Sequence, residues 1–303
     1  MKIFLLILIS LNIFTVGGIN KSYAAQHSLN VQLPLNAKAQ SQKQALDNVV
    51  IQQYKWQAAI PSSGKVKVIN RFGSISIKNI NQPIVAVTGA MQLIGETPAQ
   101  ATVISTQADG VQIIEVTYPE GNTDKFGHKR GRVDLGVFVP KGVSLTLITD
   151  FGDIKSRKLK SNVIAKTNSG KIKIGSNSTI QASTNTGDIK LTIQKNNSKQ
   201  ARFIESTKTR FNTLTSKVGN IQVYLQDNVN VSLSANSKNS IKNNLRVNNS
   251  TKISANTKQL FSAVLGKGTR HYEIKSQAGA INIHRSEWHK MQPTIKTQQV
   301  ASP

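Results

Sequence analysis

The chain has 303 residues, with 39 Lys or Arg against 14 Asp or Glu, a formal net charge of +25 and no cysteine. The missing cysteine excludes disulfides, thiolate metal sites, a cysteine nucleophile and a lipid-bearing cysteine. The charge is lopsided: residues 151–303 carry 25 Lys+Arg and 6 Asp+Glu, a balance that favours acidic partners and that also follows from a composition rich in Lys, Asn and Ile.

From the N-terminus, Lys2 and the apolar run Ile3 to Ile9, followed by the small-x-small site Ser22-Tyr23-Ala24, predict a signal peptide over 1–24. Export to the periplasm, the outer surface or the medium is therefore expected. The sequence has no second apolar stretch of spanning length, so the exported chain is expected to be soluble or peripherally associated with a membrane. Residues 25–56 are polar and Gln-rich and read as a flexible or weakly helical leader. A β-repeat domain is expected over 57–285, with strands near 65–69, 74–78, 84–94 and 111–118. Residues 96–106 read as a short helix or a loop plus strand, 119–131 as a long charged loop, and 133–139 as the strand that opens the main array. Two stretches, 195–215 and 227–258, break the regularity. The polar tail 286–303 is expected to cap the open end of the array.

One pattern recurs. Gly73, Gly152, Gly170, Gly187, Gly219 and Gly279 are each followed two positions later by Ile75, Ile154, Ile172, Ile189, Ile221 and Ile281. Three positions before each glycine stands a small polar residue: Asn70, Thr149, Thr167, Thr184, Ser216 or Ser276. Period-two alternation resumes upstream, as in Leu145-x-Leu147 and Ile180-x-Ala182. Such a unit reads as strand, tight turn, strand, with one face of each strand buried. The glycine is expected to supply a positive φ. The Thr/Ser set reads either as a hydrogen-bonded polar stack or as ordinary turn entry, and turn entry is the simpler reading. The glycines at 152, 170 and 187 are 18 and 17 residues apart, and the step from 187 to 219 looks like two such intervals. The fold class expected is all-β, a repetitive β-helix-like solenoid with Gly-x-Ile turns; an antiparallel β-sandwich is the alternative.

The stretch VFVPKGVSLTLITDFGDIKSRKLKSNVIAKTNSGKIKIGSNSTIQASTNTGDIKL (137–191), with GKVKVINRFGSISIKN (64–79) before it, resembles the bacterial "putative adhesin" family, a domain family of unknown function. The resemblance spans about residues 60–285 and is looser beyond 191. It implies repetitive β-structure on exported or envelope proteins.

No catalytic motif stands out. The histidines His27, His128, His271, His284 and His289 have no metal-ligand spacing, so no metal or cofactor is expected. A polysaccharide lyase or hydrolase is a third reading, because Asp150, Asp153 and Asp188 stand at turns, although turn chemistry accounts for them. The better candidate is a basic face. With Ile172 and Ile174 pointing in, Lys171 and Lys173 point out, and Lys155, Lys173 and Lys190, each three residues after its glycine, are expected to form an exposed column continued by Gln222. Such a column suits a linear polyanion: an anionic glycan, lipopolysaccharide or a host surface. Few aromatics argue against specific nucleic-acid binding. The expected function is thus a non-enzymatic envelope or surface protein that binds anionic polymers, with a structural, scaffolding periplasmic protein as the alternative.

Overall fold

The structure, a computed structural model, describes residues 49–94, 101–119, 131–195, 212–245, 250–255 and 258–285. The predicted signal peptide, leader residues 25–48, most of the charged loop (120–130) and the 286–303 tail lie outside the described residues. Every regular element among them is a strand. Alternating sequence becomes alternating burial, as in Ile189–Ile193 and Ile221–Leu225, where each second side chain is buried.

In chain order the strands are β1 (Val49–Ala59), β2 (Lys65–Asn70), β3 (Ile75–Ile80), β4 (Ile84–Ile94), β5 (Thr102–Ala108), β6 (Val111–Thr117) and β7 (Arg132–Pro140). Then come β8 (Ser144–Phe151), β9 (Ile154–Leu159), β10 (Asn162–Ser169), β11 (Ile172–Ser176), β12 (Ile180–Thr184), β13 (Ile189–Ile193), β14 (Asn212–Ser216) and β15 (Ile221–Leu225). The last are β16 (Val231–Ser237), β17 (Ile241–Asn243), β18 (Ser250–Ala255), β19 (Lys258–Leu265), β20 (Arg270–Ser276) and β21 (Ile281–Arg285). They form two mixed sheets. The first has 10 strands in the order β1-β4-β7-β3-β9-β11-β13-β15-β21-β17; the second has 11, in the order β18-β19-β16-β20-β14-β12-β10-β8-β2-β6-β5. From β8 to β15 successive strands alternate between the sheets. Each pairs in parallel with the next strand but one. Antiparallel pairing is confined to the ends, at β1–β4–β7, β5–β6, β16–β19 and β18–β19. An all-β fold is therefore present, but an antiparallel sandwich does not describe its middle.

Register places like on like. Ile75, Ile154, Ile172, Ile189, Ile221 and Ile281 stand side by side in the first sheet, each essentially inaccessible to solvent. Leu147, Ala165, Ala182, Leu214 and Ile274 are in register on the second sheet and are buried in the same core. Burying one such isoleucine contributes about 1.5–3 kcal/mol, so the column is the backbone of the core.

Stack order departs from chain order at two places. The unit β2–β3 inserts between β6–β7 and β8–β9, and the unit β20–β21 inserts between β14–β15 and β16–β17. As a result the six Gly-x-Ile units, scattered over 206 residues of sequence (from 73 to 279), are contiguous in space. The 187-to-219 step is a single interval, since β13 pairs directly with β15; the extra length is an insertion between β13 and β14, not a further unit.

The turn glycines answer to a different constraint from the one expected. Only Gly73 of the six has a positive φ, at 136°. At Gly152, Gly170, Gly187, Gly219 and Gly279 a Cβ would instead overlap the carbonyl oxygen of the preceding glycine in the stack: Gly73, Gly152, Gly170, Gly187 and Gly219 respectively. Close approach of neighbouring backbones, not backbone conformation, demands glycine here. The Thr/Ser set likewise does more than enter a turn. Thr149, Thr167, Thr184, Ser216 and Ser276 are buried and donate their hydroxyls to those same carbonyls, at 3.3, 3.2, 3.4, 3.1 and 3.2 Å. Ser237 donates to Gly279 O at 3.0 Å and closes the ladder. Its turn reaches Ile241 in one residue fewer and carries no glycine.

Three smaller differences concern the ends and β9. Residues 49–56, expected in the leader, belong to β1, whose inner face carries the half-buried Tyr54 and Trp56. Residues 102–108 are strand, the loop-plus-strand alternative. In β9 the expected aliphatic position holds Ser156, and a bulge lets Leu159 fill the core opposite Ser176.

Candidate functional site

The outer face of the first sheet carries the lysines. Lys155 on β9, Lys173 on β11 and Lys190 on β13 are direct register partners. Because the isoleucine before each, and Ile174 and Leu191 after the last two, point inward, the lysines point away from the core. Neighbouring strands are about 4.8 Å apart, so the three stems emerge in a row across the sheet. The row begins at Ser76 and runs on through Gln222, Asn282 and Lys242. Lys171 stands apart from it, exposed at the glycine corner, where its amide N–H donates to Asp153 Oδ1 at 2.9 Å.

The three lysines differ in their surroundings. Lys155 Nζ lies 3.0 Å from Asp153 Oδ2, in a half-exposed pair. Lys190 Nζ sits 4.5 Å above the Tyr224 ring, a cation–π contact. Lys173 has no ion pair among the described residues. The second row, two positions further along each strand, holds Gly175, Thr192, Tyr224 and His284. Tyr224 and His284 stack with centroids 5.3 Å apart, and the Tyr224 hydroxyl donates to Gln222 Oε1 at 3.3 Å. In the sequence His284 is one of five histidines without metal-ligand spacing, and nothing beside Tyr224 marks it out. Both stand five residues after a turn glycine, Gly219 and Gly279, and that shared offset is the signal that joins them.

Carboxylates at and beside the turns serve the backbone. Asp134 Oδ1 accepts from Ser74 N at 2.7 Å, Asp153 from Lys171 N at 2.9 Å and Asp188 from Asn220 N at 2.9 Å, and the Asn220 side-chain oxygen accepts from Ala280 N at 2.8 Å. Each ties one unit to the next. Burial pushes the Asp153 carboxyl up, but the Lys171 amide and the Lys155 ammonium outweigh it, so its pKa lies below the ordinary carboxylate value. Among the described residues no cluster of three or more His, Asp or Glu could hold a metal ion. Nor is any helix there long and apolar enough to cross a membrane.

No protein-family model matches the chain, and no curated protein matches it. Solved structures do. The chain is similar to a "putative cell adhesion protein" from Clostridium sporogenes ATCC 15579, at 14% identity and TM-score 0.42, over 77% of this chain and 100% of that one. It is also similar to a "putative adhesin" from Bacteroides fragilis NCTC 9343, at 10% identity and TM-score 0.31, over 77% of this chain and 97% of that one. A third, from Parabacteroides merdae ATCC 43184, has 11% identity and TM-score 0.24, over 78% and 96% of the two chains.

Proposed function

We propose that this is an exported, non-enzymatic protein of the cell envelope or surface, an adhesin that binds anionic polymers or surfaces through the outer face of its first sheet. In this reading the contiguous Gly-x-Ile units are the rungs of a β-solenoid-like scaffold, and the scaffold's work is to hold side chains at a fixed interval. The observation that carries the reading is the register of Lys155, Lys173 and Lys190 on adjacent parallel strands. Like charges held side by side repel one another, and an anionic ligand removes that repulsion. Asp153 neutralises only one end of the row.

Retention on immobilised heparin and on lipopolysaccharide, compared between the wild type and the triple variant Lys155/Lys173/Lys190→Ser, tests this directly. The variant is expected to elute at clearly lower salt while keeping its circular dichroism spectrum. Unchanged elution would make the row a solvated face of a structural protein, the scaffolding alternative. Activity on anionic glycans in a zymogram would instead support the lyase or hydrolase reading.

A further inference from the structure

We infer that the ligand of the lysine row is a linear polyuronate, a polysaccharide with one carboxylate per sugar ring, lying across the strands along the stacking direction. This rests on the anionic-polymer reading above and narrows it to a substrate class.

Three features of the face favour sugar over other polyanions. The first is spacing. The ammonium stems repeat at the strand interval of about 4.8 Å, close to the advance of one pyranose ring along a linear chain. Polyphosphate places its anions much closer together than that. Lysine stems are long enough to reach carboxylates that project to either side of the chain.

The second is what surrounds the charges. The positions flanking the three lysines are uncharged: Ser76 precedes Lys155, and Gln222 and Asn282 follow Lys190 before the row ends at Lys242. Hydroxyl and carboxamide groups donate and accept hydrogen bonds and so suit sugar hydroxyls, which polyphosphate lacks. Beside the lysines, Gly175 is buried beneath the Arg157 backbone, whose carbonyl oxygen a Cβ there would overlap, and Thr192 and Tyr224 continue that second row.

The third is the treatment of the aromatic side chains. Single-stranded nucleic acid is gripped by open ring faces on which bases stack. Tyr224 is already engaged by the Lys190 ammonium and by the His284 ring, so its ring braces a lysine and is a poor stacking platform for a base. Lys155 is restrained by Asp153 in the same way. Two lysines of the row are thereby partly ordered before the ligand arrives, which lowers the entropy cost of binding.

The experiment is a calorimetric titration of the exported chain with oligogalacturonate, with the same oligomer after methyl esterification, and with polyphosphate of matched charge. Oligogalacturonate is expected to bind. Esterification is expected to weaken binding about tenfold or more, and polyphosphate to bind about tenfold more weakly than oligogalacturonate. Lys173→Ser, which touches no core residue, is expected to weaken oligogalacturonate binding about tenfold, and Gln222→Ala to weaken it less while leaving polyphosphate binding unchanged. Polyphosphate binding as tightly as oligogalacturonate, or no oligogalacturonate binding at all, overturns the polyuronate assignment. Loss of heparin retention in the triple lysine variant would then still support the broader anionic-polymer reading, so the two failures are distinguishable.

Discussion

The glycine corner and the lysine face are built from the same units, yet they obey opposite rules. At the corner the buried hydroxyls have set partners. Each Thr or Ser hydroxyl meets the carbonyl of a glycine one unit away, and the next glycine has no room for a side chain. On the face the contacts are exposed: Lys155 pairs with Asp153, Lys190 lies over the Tyr224 ring, and Lys173 has no ion pair among the described residues. The corner sets register, and register alone aligns the lysines. Residues that determine the structure and residues available for binding are therefore segregated on each unit, separated by three to six positions of sequence.

Substitutions that confuse the two regions should show the difference. Gly170→Ala is expected to have the largest effect, because its methyl group meets the Gly152 carbonyl and two backbones must separate. A loss of about 3 kcal/mol or more in urea denaturation is expected, and a loss below about 1 kcal/mol would mean that the corner is not tightly packed. Thr167→Val comes next. It keeps the shape but leaves the Gly152 carbonyl without the hydroxyl that reaches it, at a cost of about 1–3 kcal/mol. Tyr272→Phe should go the other way. Tyr272 is buried in the core, and its hydroxyl has no hydrogen-bond partner among the described residues, so removing it should leave stability unchanged or raise it by up to about 1 kcal/mol. A fall in stability would reveal a partner for that hydroxyl, such as a buried water.

The smallest effect expected is that of acid on the corner. The Asp153 pKa is lower in the folded than in the unfolded chain. Its contribution is therefore complete above the ordinary carboxylate pKa of about 3.9 and is lost as pH falls through the lowered folded value. Asp153→Asn should flatten that part of the stability profile. An unaltered profile in the variant would show that the Asp153 carboxylate does not couple to folding.

Much of this was legible in the sequence, but unevenly. The six Gly-x-Ile units, their inward isoleucines and the lysine row follow from local alternation, which the pleat converts into facing. The order of units did not, because nothing local to β2–β3 tells it to enter between β6–β7 and β8–β9. The role of the glycines was misread for a related reason. A tight turn and a close backbone approach look alike in sequence, and only the neighbouring unit's carbonyl distinguishes them. In β1 the inward residues Gln52, Tyr54 and Trp56 alternate with the exposed Ile51, Gln53 and Lys55, so polarity and burial are out of step and the strand was hidden in a polar leader. The β18–β19 hairpin was masked by its Asn, Ser and Lys content in the same way. At the site, Tyr224 and His284 went unjoined because their shared offset lies across the 60 residues that separate Gly219 from Gly279.

The central claim is that position, not total charge, makes the lysine row a binding face. It is tested most directly by comparing two triple variants of equal charge on one heparin column. Lys155/Lys173/Lys190→Ser removes the row, and Lys67/Lys166/Lys275→Ser removes three lysines from the outer face of the second sheet. Elution at markedly lower salt is predicted for the first and a small shift for the second. Equal shifts would show that the protein is merely basic, and would contradict the claim.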